Sequence, residues 1–215
     1  MSKSNKYGYS GVDIPTQAFG ANVGKFDPDE INELVQEDKW TQYGQLELIE
    51  TKIASSDSSL DFLDLGNYKT HLATVNAFTP STDSRHVIVR FSTDGGSSFI
   101  SSNYREGQQA ITDNGSRSNH RSDSQSFLCY LTSSVGNETN EGGNAAIRFY
   151  NLKDSASQSY STQMNSDARY DGKNQTGYGA SVYPYEVEVN AIRFTGNSAT
   201  NWTGSISLYG YKEYS

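Results

Sequence analysis

The chain has 215 residues, with 17 Lys and Arg against 25 Asp and Glu, so its formal net charge is −8. That length supports one all-β domain with a real core plus a short extra segment. Its basic residues form no run, which argues against nucleic acid as a partner, because phosphate contact needs clustered Lys and Arg; the acidity reads as a solubility device. Hydrophobic residues make up 34% and aromatics 12%, with fifteen Tyr. Tyr and Thr suit half-buried pleated surfaces, and the abundant Ser, Gly and Asn suit the turns between them. Composition therefore favours a β-sandwich or barrel with many loops.

Residues 1–26 are rich in Gly, Ser, Tyr and Asn and have no sustained period. Tyr7, Tyr9, Ile14, Phe19 and Phe26 are too apolar for a plain linker. We expect an extended arm that orders against a neighbour such as another subunit; the alternative is a disordered leader. The first residues lack an apolar signal-peptide core, and no window approaches 18 apolar residues, so we expect synthesis in a cytosol and no membrane partner. Next comes a helix over Phe26–Gln36. Asp27 can cap it, Pro28 suits its first position, and Glu30 completes a capping-box pattern. Ile31, Leu34 and Val35 form a narrow apolar stripe that must dock, because so short a helix is marginal alone. Residues 1–44 thus read as an anchoring segment, and 45–215 as the sandwich.

From Gln45 onward the period is that of strands. Leu46 and Leu48 alternate with polar residues, and Tyr68–Phe78 is a second run. Val87, Val89 and Phe91 share a face, and Ser92–Ser97 reads as a hairpin turn, because Asp94-Gly95-Gly96 supplies positive φ. Ser98–Tyr104 would be the returning strand. Further strands are expected over Ser126–Thr132, Ala145–Leu152, Tyr160–Ser166, Tyr185–Phe194 and Gly204–Tyr211. The alternation slips phase at Ala191-Ile192, as a bulge would cause. The polar stretches Glu106–Gln125, Ser133–Asn144 and Asp167–Gly179 read as surface loops, where any recognition would sit. The expected architecture is all-β: an antiparallel sandwich, a jelly roll of about eight to ten strands, preceded by an extended arm and one short helix.

Chemistry-bearing patterns are sparse. The single cysteine, Cys129, shares a strand face with Phe127 and Leu131 and reads as a buried apolar residue. His71, His86 and His120 lack metal-ligand spacing. No nucleophile elbow, dinucleotide fingerprint or phosphate loop is present, and no cofactor is implied. Glu47, Glu50, Asp61, Asp64, Glu186 and Glu188 lie near strands and read as solvated positions rather than a glycosidase pair. Asp167–Asn174 faintly resembles a calcium loop, but Arg169 stands where an oxygen ligand is required, so an Asp-Gly turn is expected. The aromatics are too many for one core. Tyr and Trp favour protein interfaces and sugar-stacking surfaces, and Tyr104, Tyr170, Tyr178 and Trp202 are the candidates for surface recognition.

Several segments in order resemble the jelly-roll proteins of tailed-phage virions, of the marine and cyanophage type. They are Ile53–Ser56 followed by Leu60–Phe62 and Tyr68, then Pro80–Asp83 with Arg90–Gly96, then Gly143–Asn151, and finally Ile192–Phe194 with Gly204–Gly210. The match spans residues 45–211. It departs from the family pattern in having Thr195-Gly196 where Ser-Gly is usual. The resemblance implies a non-enzymatic virion component, in capsid decoration, head fibre, tail fibre or tail accessory position, with no catalytic, cofactor or metal residues. The implied partners are copies of itself, with a trimer favoured, and other capsid or tail proteins. The alternative is a carbohydrate-binding module that recognises host surface glycan through its aromatic-rich loops.

Overall fold

In the computed structural model the described residues are 28–36 and 46–212. The helix and the sandwich belong to separate units. Helix α1 (Pro28–Gln36) starts on Pro28, and its Ile31 and Leu34 are half-buried. Of the other expected anchor residues, Val35 lies in this helix, whereas Tyr7, Tyr9, Ile14, Phe19, Phe26 and the capping Asp27 lie outside the described residues.

The sandwich is all-β. Its strands are β1 (Leu46–Asp57), β2 (Ser59–Phe62), β3 (Thr70–Pro80), β4 (Val87–Ser92), β5 (Tyr104–Thr112), β6 (Arg117–Gln125), β7 (Gly142–Tyr150), β8 (Gln158–Ala168), β9 (Asn174–Glu186), β10 (Ala191–Gly196) and β11 (Trp202–Tyr211). An eight-stranded sheet runs β1-β11-β3-β7-β8-β9-β5-β6, and a three-stranded sheet runs β2-β10-β4. Every pairing between strands is antiparallel. The strands divide eight to three, so this connectivity does not establish the two comparable sheets of the expected jelly roll.

Period-two alternation accounts for the core. His71, Ala73 and Val75 of β3, Ala145, Ile147 and Phe149 of β7, and Ile206 and Leu208 of β11 all point inward. They meet Leu60 and Phe62 of β2, Val87, Val89 and Phe91 of β4, and Ile192 and Phe194 of β10. Edge-on aromatic pairs join the layers: Phe62 with Phe194 at 5.7 Å, and Phe91 with Phe149 at 5.9 Å. The segment around Leu128–Leu131 extends the small sheet without becoming a strand. Leu128 N–H donates to the Val89 carbonyl at 2.7 Å, and Leu131 N–H to that of Val87 at 2.8 Å. Cys129 is buried and free, as expected.

Four expectations are corrected. The Asp94–Gly96 turn forms, with φ +73° at Gly95 and +88° at Gly96, but Ser98–Asn103 is not a returning strand. Only Ile100 N–H reaches back, to Phe91 O at 2.9 Å, and the next strand, β5, joins the other sheet. Glu106–Gln125 is the hairpin β5–β6 rather than a loop, and most of Asp167–Gly179 belongs to β8 and β9. Both were hidden because their inward positions are polar. Finally, Tyr185–Phe194 is not one bulged strand. β9 ends at Glu186, and the chain crosses between sheets while Val189 N–H donates to Leu152 O and Asn190 N–H to Ser92 O.

Trp202 is 1% exposed and packs on Phe78 with ring centroids 5.4 Å apart. It closes one end of the core where β11 meets β3. Trp202→Ala should destabilise the folded chain by about 3–5 kcal/mol, read as a lower urea midpoint; a loss below about 1 kcal/mol would show that this end is not closely packed.

Candidate functional site

The four aromatics expected to recognise a partner are not brought together. Tyr104 is fully buried, and its hydroxyl accepts from Phe91 N–H at 2.8 Å, which is where its polar end is satisfied. Trp202 is core. These two are corrected from surface to interior, because each begins a strand with its side chain in the inward phase, Tyr104 against Phe91 and Trp202 against Phe78. Tyr170 is exposed on the turn between β8 and β9, with the Arg169 guanidinium 5.8 Å from its ring centroid. Tyr178 is exposed on the outward face of the eight-stranded sheet.

The inner face of that sheet changes character across its width. β8 turns Ser159, Ser161, Gln163, Asn165 and Asp167 inward, and all are buried. β9 adds Gln175 and Ser181, and β5 adds Glu106 and Gln108. Gly177 and Gly179 make room for these side chains. A Cβ at Gly177 would lie 2.5 Å from Asn165 Oδ1, and one at Gly179 would lie 2.9 Å from Gln163 Nε2. Asn165 Nδ2 donates to Asp167 Oδ2, and Gln163 Nε2 lies 3.4 Å from Glu106 Oε1. Among the described residues, Ser161 Oγ, Gln163 Oε1, Asn165 Oδ1, Asp167 Oδ1 and Gln175 Nε2 have no hydrogen-bond partner. The layer therefore holds unused hydrogen-bonding capacity, which is costly to bury.

Two buried carboxylates in this layer clamp the overlying chain. Glu106 Oε1 accepts from Tyr130 N–H at 3.0 Å, and Asp167 Oδ2 accepts from Ser133 N–H at 2.7 Å. Burial pushes both acids up. Asp167 reaches about 7 although Asn165, Ser133 and Arg169 pull it down, and Glu106 rises against the opposing pull of Gln125, Tyr130 and His120. The clamp holds Tyr130 between two imidazoles, His86 at 4.7 Å and His120 at 4.8 Å between centroids. Beside it opens a cavity of about 270 Å³ lined by His86, Gln108, Ser118, Asn119, His120 and Tyr130. Burial lowers the His86 pKa, so its ring is neutral near pH 7. An aromatic ring flanked by amides and hydroxyls is suited to a small hydroxylated ligand.

The opposite, outward face is open. The register sets rows across it: Leu48, Tyr209, Leu72, Arg148, Thr162, Ala180, Gly107 and Arg121 lie side by side. The neighbouring rows carry Leu46, Tyr150, Tyr160, Val182 and Arg105, and then Met164, Tyr178, Gln109 and Asn119. Ile53 is 73% exposed, Met164 62%, Leu48 58% and Tyr178 56%. Of the four candidates for surface recognition, only Tyr178 stands on this face. The alternation of β1 and β8 was visible, but which phase met the core was not.

The carboxylates weighed as an acid–base pair are scattered and mostly engaged locally. Glu47 accepts from Tyr68 OH at 2.6 Å, Asp61 is bidentate to Arg193, and Glu188 pairs with Lys153. In the segment that resembled a calcium loop, Asp167 turns into the interior while Arg169 and Lys173 both pair with Asp171. Among the described residues no three His, Cys, Asp or Glu are grouped so as to hold a metal ion. Neither protein-family models nor curated protein sequences give a match to the chain.

The raised Asp167 carboxyl has a signed consequence. A carboxyl held up in the fold adds stability in full below its ordinary value of 3.8, and that stability is lost as pH rises through about 7. Asp167→Asn does not titrate, so between about pH 4 and 7 it should lose less stability than the wild type, by up to about 1.4 kcal/mol per pH unit. Urea denaturation across that window measures the difference; a flat difference would mean that Asp167 is already ionised in the fold at the acid end.

Proposed function

We propose that this chain is a non-enzymatic structural component of a tailed-phage virion, a capsid-decoration, head-fibre or tail-fibre type protein that assembles through its N-terminal segment and its sandwich surfaces. The observation that carries the reading is the uncovered outward face of the eight-stranded sheet. One-sided antiparallel sheets normally turn a polar face to solvent. Here Leu46, Leu48, Ile53, Tyr160, Met164 and Tyr178 stand exposed on strands of one sheet, and exposed apolar area of this kind marks interaction surfaces. The ordered resemblance over residues 45–211 supplies the kind of assembly. The test is to purify particles from infected cells and look for the chain by mass spectrometry and antibody labelling. The expected result is a fixed ratio to the major shell or tail protein; recovery only in the particle-free fraction would sink the reading.

One observation favours a second reading, glycan recognition. The cavity beside Tyr130 has the size of a single sugar unit and offers the Tyr130 ring, the Gln108 amide and the Ser118 hydroxyl. Under this reading host surface polysaccharide binds the purified chain, and Tyr130→Ala weakens binding about tenfold or more, since it removes a contact worth roughly 1.4 kcal/mol. A glycan array with no signal from the wild-type chain would dispose of it.

A further inference from the structure

Gly107 is a glycine that the fold itself does not require. It stands inside β5, where glycine weakens a strand. Its φ is not positive, and a Cβ built on it would meet nothing within 4 Å. Gly177 and Gly179 on β9 differ, because Cβ atoms there would meet Asn165 and Gln163 of the inner face. A mid-strand glycine with open space over it marks a place where something outside the strand approaches closely.

Strand register builds a trough over this glycine on the outward face. Arg148, Thr162, Ala180, Gly107 and Arg121 form one row across β7, β8, β9, β5 and β6. The centre of the row is small side chains and its ends are arginines. Those ends are separated by roughly 19 Å, taking neighbouring strands as about 4.8 Å apart. One flanking row carries Tyr150, Tyr160, Val182 and Arg105, and the other carries Met164, Tyr178, Gln109 and Asn119. The deepest part is a groove of about 290 Å³ lined by Arg105, Gly107, Asp123, Tyr160, Ala180 and Val182. Arg105, Arg121 and Arg148 are exposed, as is Arg117 further along β6. Among the described residues none of these four arginines has a hydrogen-bond or ion-pair partner. The other described arginines are all held: Arg85 donates to Thr82, Arg90 to the Ser126 carbonyl, Arg169 pairs with Asp171, and Arg193 with Asp61.

We infer that this trough binds an acidic polysaccharide, with one sugar ring seated over Gly107 against Tyr160 and the carboxylates of the chain held by Arg105, Arg121 and Arg148. Arginine suits that task because its planar fork pairs bidentately with carboxylates. A tyrosine ring offers an apolar face to the C–H side of a sugar and a hydroxyl at its edge. Sugar hydroxyls find partners in Thr162, Asp123 and a polar chain in which Tyr178 O–H donates to Gln109 Oε1 and Gln109 Nε2 to Asn119 Oδ1. The apolar stripe of a protein helix would leave those groups unpaired. Charge density argues against nucleic acid, since a polyphosphate carries a charge every few ångströms, whereas three arginines spread over roughly 19 Å match a polymer with widely spaced charges. Sugar binding here does not need the virion reading, and it leaves Leu46, Leu48 and Ile53 of β1 free for assembly. The trough is also distinct from the cavity beside Tyr130, which the inward residues Gln108 and His120 line.

Isothermal titration calorimetry of the full chain tests this, with oligogalacturonate and oligosialate as probes and neutral dextran of equal length as the control. At least one acidic probe should bind at least tenfold more tightly than dextran and weaken as salt is raised. Gly107→Val fills the floor of the trough and should weaken binding at least tenfold. It should melt no lower than the wild type, because its Cβ meets no other atom within 4 Å and valine suits a strand. Arg105→Gln with Arg148→Gln should also weaken binding at least tenfold and flatten the salt dependence. Tyr130→Ala should leave the affinity unchanged. Loss of binding in Tyr130→Ala with Gly107→Val unaffected would move the ligand to the inner cavity and overturn the inference. Acidic probes that bind no better than dextran, or an affinity indifferent to Gly107→Val, would do the same. Tighter binding of polyglutamate or of oligothymidylate would also overturn it, assigning the face to an acidic protein or to nucleic acid.

Discussion

One mismatch of width organises this molecule: eight strands lie in one sheet and three in the other. Hydrophobic burial drives two sheets together only where both inner faces are apolar. The three-stranded sheet and the Leu128–Leu131 segment meet the apolar inner faces of β11, β3 and β7, and there the core of Phe62, Phe78, Phe91, Phe149, Phe194 and Trp202 forms. Past β7 the wide sheet continues without an apolar counterpart. The sequence of β8 answers this locally, placing Ser, Gln, Asn and Asp at positions where a sandwich strand would carry Val or Ile.

The consequences on the inner side follow from low dielectric and crowding. Polar side chains lie over Gly177 and Gly179, and Glu106 and Asp167 are raised because burial disfavours their charge. Their hydrogen bonds then pin the backbone at Tyr130 and Ser133, so the same carboxylates that cost stability also place an aromatic ring beside the cavity. The outer side follows from geometry instead. An antiparallel sheet turns every second residue outward, and in β8 and β9 those include Tyr160, Met164, Tyr178, Ala180 and Val182. Within the sandwich unit, no described element covers this face of the wide sheet.

Charge completes the division of labour. The arginines are distant in sequence, at 105, 117, 121 and 148, yet strand pairing sets them on one surface. In the chain they look like scattered solubilising charges. On the sheet they frame an apolar strip, and their lack of internal partners distinguishes them from arginines that hold the fold, such as Arg193 on Asp61.

What was legible in the sequence was whatever local periodicity and turn chemistry control. The class of fold, the strands at 46–57, 70–80, 87–92, 142–150 and 202–211, the short helix, the Asp94–Gly96 turn and the buried cysteine were all readable, because each is set by neighbours a few residues apart. The hairpin β5–β6 and strand β9 were not, since period-two reasoning needs an apolar phase and these strands bury a polar one. Nor could Tyr104 and Trp202 be told from surface aromatics, because a strand presents two faces and only packing chooses between them. The division of strands between sheets, the buried carboxylates beneath Tyr130 and the gathering of four arginines depend on pairings between residues dozens of positions apart. No local pattern encodes those pairings, and tertiary structure alone decided them.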